Sequence, residues 1–324
     1  MIENLMITML GMAALMLIIG FVILIKSADL LVNGASSLAK KISISEMAIG
    51  LTIVAFGTSA PELIVNVISS TGGHNDLCYG NVVGSNIFNT LVVLGFAGII
   101  HPIMVQKNTV KKEIPMVFVG TIFLLGLSNN FGFGGHVLSR IDGLLLVISL
   151  IVFIFYVTTI SKDTSPNEFD IHVFSLPKSI IFILVGIMGL FFGGEMVVKN
   201  AVFAAQLLKV SEKFIGITIV ALGTSLPELV TSIIAVTKKR YGLAVGNVIG
   251  SNLFNIFMVL GLTAIINPVV YPTAMNIDMV FLMLVTLILF ITMFTGKRHQ
   301  LDRWEAAIFL ALYVGYVIFL FNRM

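Results

Sequence analysis

Residues 45–62 read SEMAIGLTIVAFGTSAPE, and residues 211–228 read SEKFIGITIVALGTSLPE. The two stretches are identical at 13 of 18 positions. Further along, Gly80–Asn89 (GNVVGSNIFN) and Gly246–Asn255 (GNVIGSNLFN) match at 8 of 10 positions, at the same offset of 166 residues. That single offset superposes 45–102 on 211–268 without a gap, down to Pro102 on Pro268. Chance likeness between apolar segments would match Leu and Val, whereas these matches are Gly, Thr, Ser, Pro, Glu and Asn. The chain is two related halves.

Composition says what medium those halves occupy. Of 324 residues, 58% are apolar and 11% charged, against roughly 45–50% and about 25% in soluble domains. This excludes a soluble enzyme, and disorder as well, because disordered chains are poor in apolar residues. Long unbroken apolar runs argue against a β-barrel, whose strands alternate. At about 20 residues per span, the runs divide into ten helices at 6–25, 47–70, 80–100, 114–128, 139–160, 178–198, 213–236, 243–266, 277–295 and 304–321. Ser27–Lys41 and Lys199–Val210 read as amphipathic continuations of spans one and six. Met1–Ile25 has no basic leader and no small-residue cleavage site, so it reads as a retained span. The single Cys78 forms no internal disulfide, and a net charge of +3 does not point to nucleic acid.

Each half has five spans, an odd number, so the second half enters the membrane the opposite way round. The predicted fold is an all-α polytopic membrane protein: ten transmembrane helices as two inverted-topology five-helix repeats, a construction common among secondary transporters. The predicted organisation is a first repeat at 1–160, a short cytoplasmic connection at 161–177 and a second repeat at 178–324. Alternate connections carry 14 of the 19 Lys and Arg residues. Because basic residues accumulate on the cytoplasmic side, both termini are expected outside.

The repeated polar residues define a candidate site. Pro61 and Pro227 lack an N–H and should break spans two and seven near Gly57 and Gly223. Ser59 to Glu62 has capping-box spacing, which would start a new half-helix, and carbonyls from Ala55 to Thr58 would lose their helical donors. Of 16 acidic residues, only Glu62 and Glu228 fall near the middle of a span. On spans three and eight, Asn81, Ser85 and Asn89 recur every four residues, and Asn247, Ser251 and Asn255 repeat them. Carboxylates, amides, hydroxyls and freed carbonyls make an all-oxygen set suited to a hard cation. Ca2+ in particular accepts about 6–8 oxygens in flexible arrangements. No His, Cys or Met enters the motif, which argues against soft transition metals. Asp29 and Glu195, at equivalent positions of spans one and six, read instead as surface charges near Lys26 and Lys199.

At these residues the chain resembles the sodium/calcium exchanger family of the cation/calcium exchanger superfamily. Gly57–Glu62 with Gly84-Ser85-Asn86-Ile87-Phe88-Asn89, and Gly223–Glu228 with Gly250-Ser251-Asn252-Leu253-Phe254-Asn255, are similar to that family's two α-repeats. Related proton/calcium exchangers typically have Gly-Asn in place of Gly-Thr-Ser before the acidic residue. The compact length resembles prokaryotic members, which implies a prokaryotic cell membrane. The resemblance implies that Glu62 and Glu228 coordinate Ca2+ and help bind Na+, with backbone oxygens of Thr58 and Thr224 completing the Ca2+ site. Ala55 and Ala221 carbonyls, with Ser59, Ser225, Ser85 and Ser251, would build flanking Na+ sites, and Asn89 and Asn255 would occupy the middle. Some relatives, including potassium-dependent ones, have Asp at the position of Asn255, so K+ dependence is not implied here.

The function so implied is Na+/Ca2+ antiport by alternating access, electrogenic at about three Na+ per Ca2+, with spans one and six sliding across the other eight. An H+-coupled antiporter of Ca2+ or another divalent ion, in which the two Glu titrate, is the alternative. A passive cation channel fits less well, because channels usually build selectivity by oligomeric symmetry. No cofactor, nucleic acid or obligate protein partner is expected beyond the transported ions and the lipid bilayer. No nucleophile–base pair or phosphate loop supports an enzyme.

Overall fold

The computed structural model of the chain describes residues 2–132, 135–160, 172–208 and 223–323. The first half comprises α1 (Ile2–Lys41), α2 (Glu46–Thr58), α3 (Ala60–Thr71), α4 (Asn75–Ile100), α5 (Ile114–Ser128, entered through a π-turn at Thr109–Glu113) and α6 (Arg140–Ile160). The second comprises α7 (Leu176–Leu207), α8 (Leu226–Thr237), α9 (Tyr241–Ile266), α10 (Asn276–Thr292) and α11 (Arg303–Arg323). Seven of these helices are long and apolar enough to cross a membrane, and the pair α2–α3, bent by 42°, is an eighth. The predicted seventh span falls partly outside the described residues, which resume at Gly223.

Contacts between helix ends sort the connections onto two faces. On one face lie Lys41 with the Phe174 carbonyl, Glu46 with Arg240, and His101 with Tyr241. Arg303 meets the Ile100 carbonyl there, and β1 (Ile103–Met104) pairs antiparallel with β4 (Gln300–Leu301). The opposite face holds Ser70 with Asn267, Asn129 with Asn276 and Asp278 with Arg323. It also carries the pair of β2 (Val137–Leu138) with β3 (Val269–Val270). Followed along the chain, these ends alternate without exception. Phe174 and Arg240 share a face, so the chain returns between them: α7 crosses one way, and α8 is the described part of the return. That makes ten crossings, with the halves entering from opposite faces: two inverted five-helix repeats.

Burial separates inner from outer helices. The apolar windows of α4 and α9 are 78% and 83% buried within the protein, against 17–33% for α1, α6, α7, α10 and α11. The outer helices leave their remaining apolar surface to lipid, where no hydrophobic penalty applies. Close backbone approach holds the inner set together. A Cβ on Gly246 would lie 2.6 Å from the Met47 carbonyl oxygen, and one on Gly50 would lie 2.7 Å from that of Leu243, so α2 and α9 cross at glycines. The predicted amphipathic continuation after span one is helical to Lys41 and packs one side into the protein. Ala28, Leu31, Val32, Ala35, Ser36 and Ser37 are buried, and Ser37 Oγ meets Ser179 Oγ of α7 at 2.9 Å.

Candidate cation-binding site

Pro61 and Pro227 sit in the first turn of α3 and α8, where their missing N–H costs nothing. The residues before them, Ser59 (φ −84°, ψ 1°) and Ser225 (φ −91°, ψ 6°), turn the chain in matching geometry. Glu62 and Glu228 therefore stand in the first turn of a helix, at the positive end of its dipole, and both are fully buried.

Two local expectations are corrected. Ser59 makes no capping hydrogen bond, because it is not in the extended conformation of an N-cap and its Oγ has no partner among the described residues. Nor does Ala55 lose its donor: α2 completes its ladder up to the break. The Ala55 carbonyl accepts from Ser59 N at 3.0 Å and lies 3.4 Å from Thr58 Oγ1, whose proton goes to Asn247, so it keeps one acceptor site. The carbonyl that Pro61 leaves without its helical donor is that of Gly57, four residues back.

The halves are stitched across their pseudo-twofold. Thr58 Oγ1 donates to Asn247 Oδ1 at 3.0 Å and lies 3.2 Å from Ser251 Oγ. Its counterpart Thr224 donates to Asn81 Oδ1 at 3.3 Å. Asn81 and Asn247 in turn donate to the Glu62 and Glu228 carbonyls, both at 3.3 Å, and so bind each bend to the neighbouring helix. Ser225 Oγ lies 3.3 Å from Glu62 Oε1 and 3.0 Å from Ser85 Oγ, so the second half helps hold the first half's carboxylate.

Asn89 and Asn255 each open a π-turn, at Asn89–Val93 and Asn255–Val259, a feature frequent at functional sites. Asn89 donates to Asn252 Oδ1 at 3.2 Å and Asn255 to Asn86 Oδ1 at 3.1 Å. Asn86 donates to the Asn252 carbonyl and Asn252 to Thr90 Oγ1. Sequence reasoning assigned no task to Asn86 and Asn252, although their identical placement in both repeats was the available signal. They occupy the donor ends of Asn89 and Asn255 and leave the acceptor ends unused.

The result is a set of buried oxygens with no hydrogen-bond partner among the described residues: Glu62 Oε2, both oxygens of Glu228, Asn89 Oδ1, Asn255 Oδ1 and Ser59 Oγ. Thr231, one turn beyond Glu228, adds an unpartnered Oγ1 that the sequence did not flag. The ion pairs among the described residues are all elsewhere, so neither Glu has a basic partner there. Buried acceptors with no donors are costly unless a cation supplies the missing charge. Of the predicted site residues, direct contacts join Thr58 to Ser251, and Ser225 and Ser85 to Glu62 and to each other, while Thr224 reaches Asn81. Asn89 and Asn255 are linked to each other's helices through Asn252 and Asn86. Ala221 lies outside the described residues. Glu195 pairs with Lys199 at 2.7 Å as expected, but Asp29 pairs with Lys238 at 2.6 Å and not with Lys26.

The model of the sodium/calcium exchanger protein family matches residues 12–159 and again 178–322. The chain belongs to this family. It is a transporter and not an enzyme, and an integral membrane protein. The sodium/calcium exchanger MaX1 of Methanosarcina acetivorans is 30% identical, over 95% of this chain and 98% of its own. The inner membrane protein YrbG of Escherichia coli is 34% identical over 86% and 87%. Among solved structures, the sodium-calcium exchanger NCX_Mj superposes with a TM-score of 0.82 at 31% identity, covering 95% of this chain and 99% of that one. NCX_Mj was solved after soaking with Na+ and Ca2+ and with Na+ and Sr2+.

Proposed function

We propose that this exchanger couples Na+ entry to Ca2+ export, electrogenically at about three Na+ per Ca2+. One observation carries the reading: two fully buried carboxylates, one from each half, with three of their four oxygens, and the Oδ1 atoms of Asn89 and Asn255, lacking a hydrogen-bond partner among the described residues. Two carboxylates balance one divalent ion, and the neutral oxygens supply the remaining coordination that Ca2+ takes up. Glu62, Glu228 and the backbone oxygens of Thr58 and Thr224 are the Ca2+ ligands in this proposal. Ser59, Ser85, Ser225, Ser251 and the carbonyls of Ala55 and Ala221 flank them as Na+ ligands. Asn89 and Asn255 occupy the middle through Oδ1 atoms that have no hydrogen-bond partner among the described residues.

Antiport follows from sharing. If Na+ and Ca2+ use the same two carboxylates, they exclude one another. A carrier that resists crossing with bare buried charges then returns only when loaded. The soaks of NCX_Mj in Na+, Ca2+ and Sr2+ support this ion class for its relative. The division at 1–160, 161–177 and 178–324 and the placement of both termini outside a prokaryotic cell membrane belong to the same proposal. They rest on the repeat and on the distribution of basic residues.

The test is 45Ca2+ uptake into Na+-loaded proteoliposomes of the purified chain, with external Na+ replaced by choline and pH clamped. Uptake should require internal Na+ and vanish when the Na+ gradient is abolished. Uptake that ignores Na+ and follows an imposed pH gradient would overturn Na+ coupling in favour of the proton.

A further inference from the structure

The two halves differ at the carboxylate that opens the span after each β-pair. In the second half this is Asp278, in the first turn of α10, and it is fully compensated. Tyr316 OH of α11 donates to Oδ1 at 2.9 Å, and Arg323 Nη2 to Oδ2 at 2.7 Å. The carboxylate at the entry to the corresponding span of the first half, α5, is Glu113, 4% exposed and one position along from Lys112, the residue that the 166-residue offset matches to Asp278. Its Oε1 accepts from Tyr156 OH of α6 at 2.5 Å, so it too has a tyrosine partner, from a position not matched to Tyr316 in the repeat. Among the described residues no Arg or Lys pairs with Glu113. Glu113 Oε2 is buried and has no partner among the described residues. The adjacent Lys112 does not fill the role, because neighbours in a helix do not face each other. Its Nζ instead stands 5.7 Å from the centroid of the Tyr156 ring.

Space exists beside that oxygen. A cavity of about 40 Å3 between the start of α2, the loop before α5 and the end of α6 is lined by Glu113, Thr109, Tyr156, Gln106, Asn108 and Ser45 among others. Thr109 is 1% exposed, and its Oγ1, like Glu113 Oε2, lacks a partner. One bound water needs roughly 10–15 Å3 on this measure, so the cavity admits a small ion with a water or two. A single carboxylate among neutral oxygens, with Lys111 and Lys112 close by in sequence, suits one positive charge and disfavours two.

We propose that this cavity is a second cation site, in which Glu113 and Thr109, braced by Tyr156, hold one small alkali-metal cation that does for Glu113 what Arg323 does for Asp278. The site lies at the face carrying the β1–β4 pair, apart from Glu62 and Glu228, and does not depend on which ions those residues transport.

Equilibrium binding of 22Na+ and 86Rb+ to the purified full chain, by scintillation proximity, tests this. The background is the Glu62→Gln/Glu228→Gln double variant, which silences the central site. If that variant does not fold, the wild-type chain is used with excess Ca2+. One ion per chain should still bind in this background, and adding Glu113→Gln should remove it. Thr109→Val keeps the carboxylate and should weaken binding about fivefold, the effect of one lost polar contact. It decides the matter if Glu113→Gln does not fold. Preference for 22Na+ or 86Rb+ assigns the ion size. Absence of both ions in the double variant, or binding unchanged by Glu113→Gln and by Thr109→Val, would overturn the proposal.

Discussion

Replacing Glu228 by Gln probes the central site most directly, because its two carboxylate oxygens are both buried and unpartnered among the described residues, whereas Glu62 keeps Ser225 and Ser85 against one oxygen. In ion-free alkaline buffer, where the carboxylates are driven to ionise, an uncompensated buried charge costs about 3–5 kcal/mol. Glu228→Gln removes that charge at nearly constant volume. It should raise ion-free stability, and by more than Glu62→Gln, which gives up two hydroxyl contacts along with the charge. With ions present the order reverses. Ca2+ at a hundred times Kd should stabilise the wild-type chain by about 2.7 kcal/mol. At about 2–4 °C per kcal/mol for chains of roughly this size, that is a rise of about 5–11 °C in Tm. Glu228→Gln should show almost none of it. The assay is thermal unfolding in detergent, followed by tryptophan fluorescence of Trp304 or by light scattering, with and without Ca2+ and Na+. A Glu228→Gln chain that is less stable than wild type without ions, or that is stabilised by Ca2+ as wild type is, would refute the reasoning.

Other outcomes follow from the same contacts. Thr58→Val should destabilise by about 1–3 kcal/mol by leaving Asn247 Oδ1 buried without its donor. Thr224→Val should cost less, since Thr224 makes one longer contact from a partly exposed position; paired melting curves compare them. Asn255→Asp would set a carboxylate oxygen against Asn86 Oδ1 where an amide now donates, and should lower ion-free Tm by an amount that added cation restores. Gly246→Ala would drive a methyl to 2.6 Å from the Met47 carbonyl and should cost about 1–3 kcal/mol, read as lost yield and lower Tm. Lys238→Met releases Asp29 and Asn33 of α1 from the end of α8. The exposed pair is worth at most about 1 kcal/mol, so Tm should barely move; if α1 slides during transport, turnover in the proteoliposome assay should change while the half-saturating Ca2+ concentration does not.

Much of this molecule is legible in one dimension because a membrane makes strong demands on local sequence. A span must satisfy its own backbone, so apolar length locates helices. Matched Gly, Thr, Ser, Pro, Glu and Asn at one offset reveal a duplication whose odd span count inverts it. Glu62 and Glu228 stand out because charge is rare at that depth. What could not be read there depends on partners distant in the chain. Whether Ser59 caps a helix is set by its φ and ψ, not by its spacing from Glu62. That Asn81 and Asn247 tie helices together, while Asn89 and Asn255 keep free acceptors, depends on Thr224, Thr58, Asn252 and Asn86 crossing from the opposite half. The same holds for Lys238 capturing Asp29 and for Arg323 reaching Asp278 while Glu113 has no basic partner among the described residues. Hydrogen bonds and ion pairs are short-range and directional, so which of several chemically equivalent oxygens is left for a cation is decided only when the two halves pack.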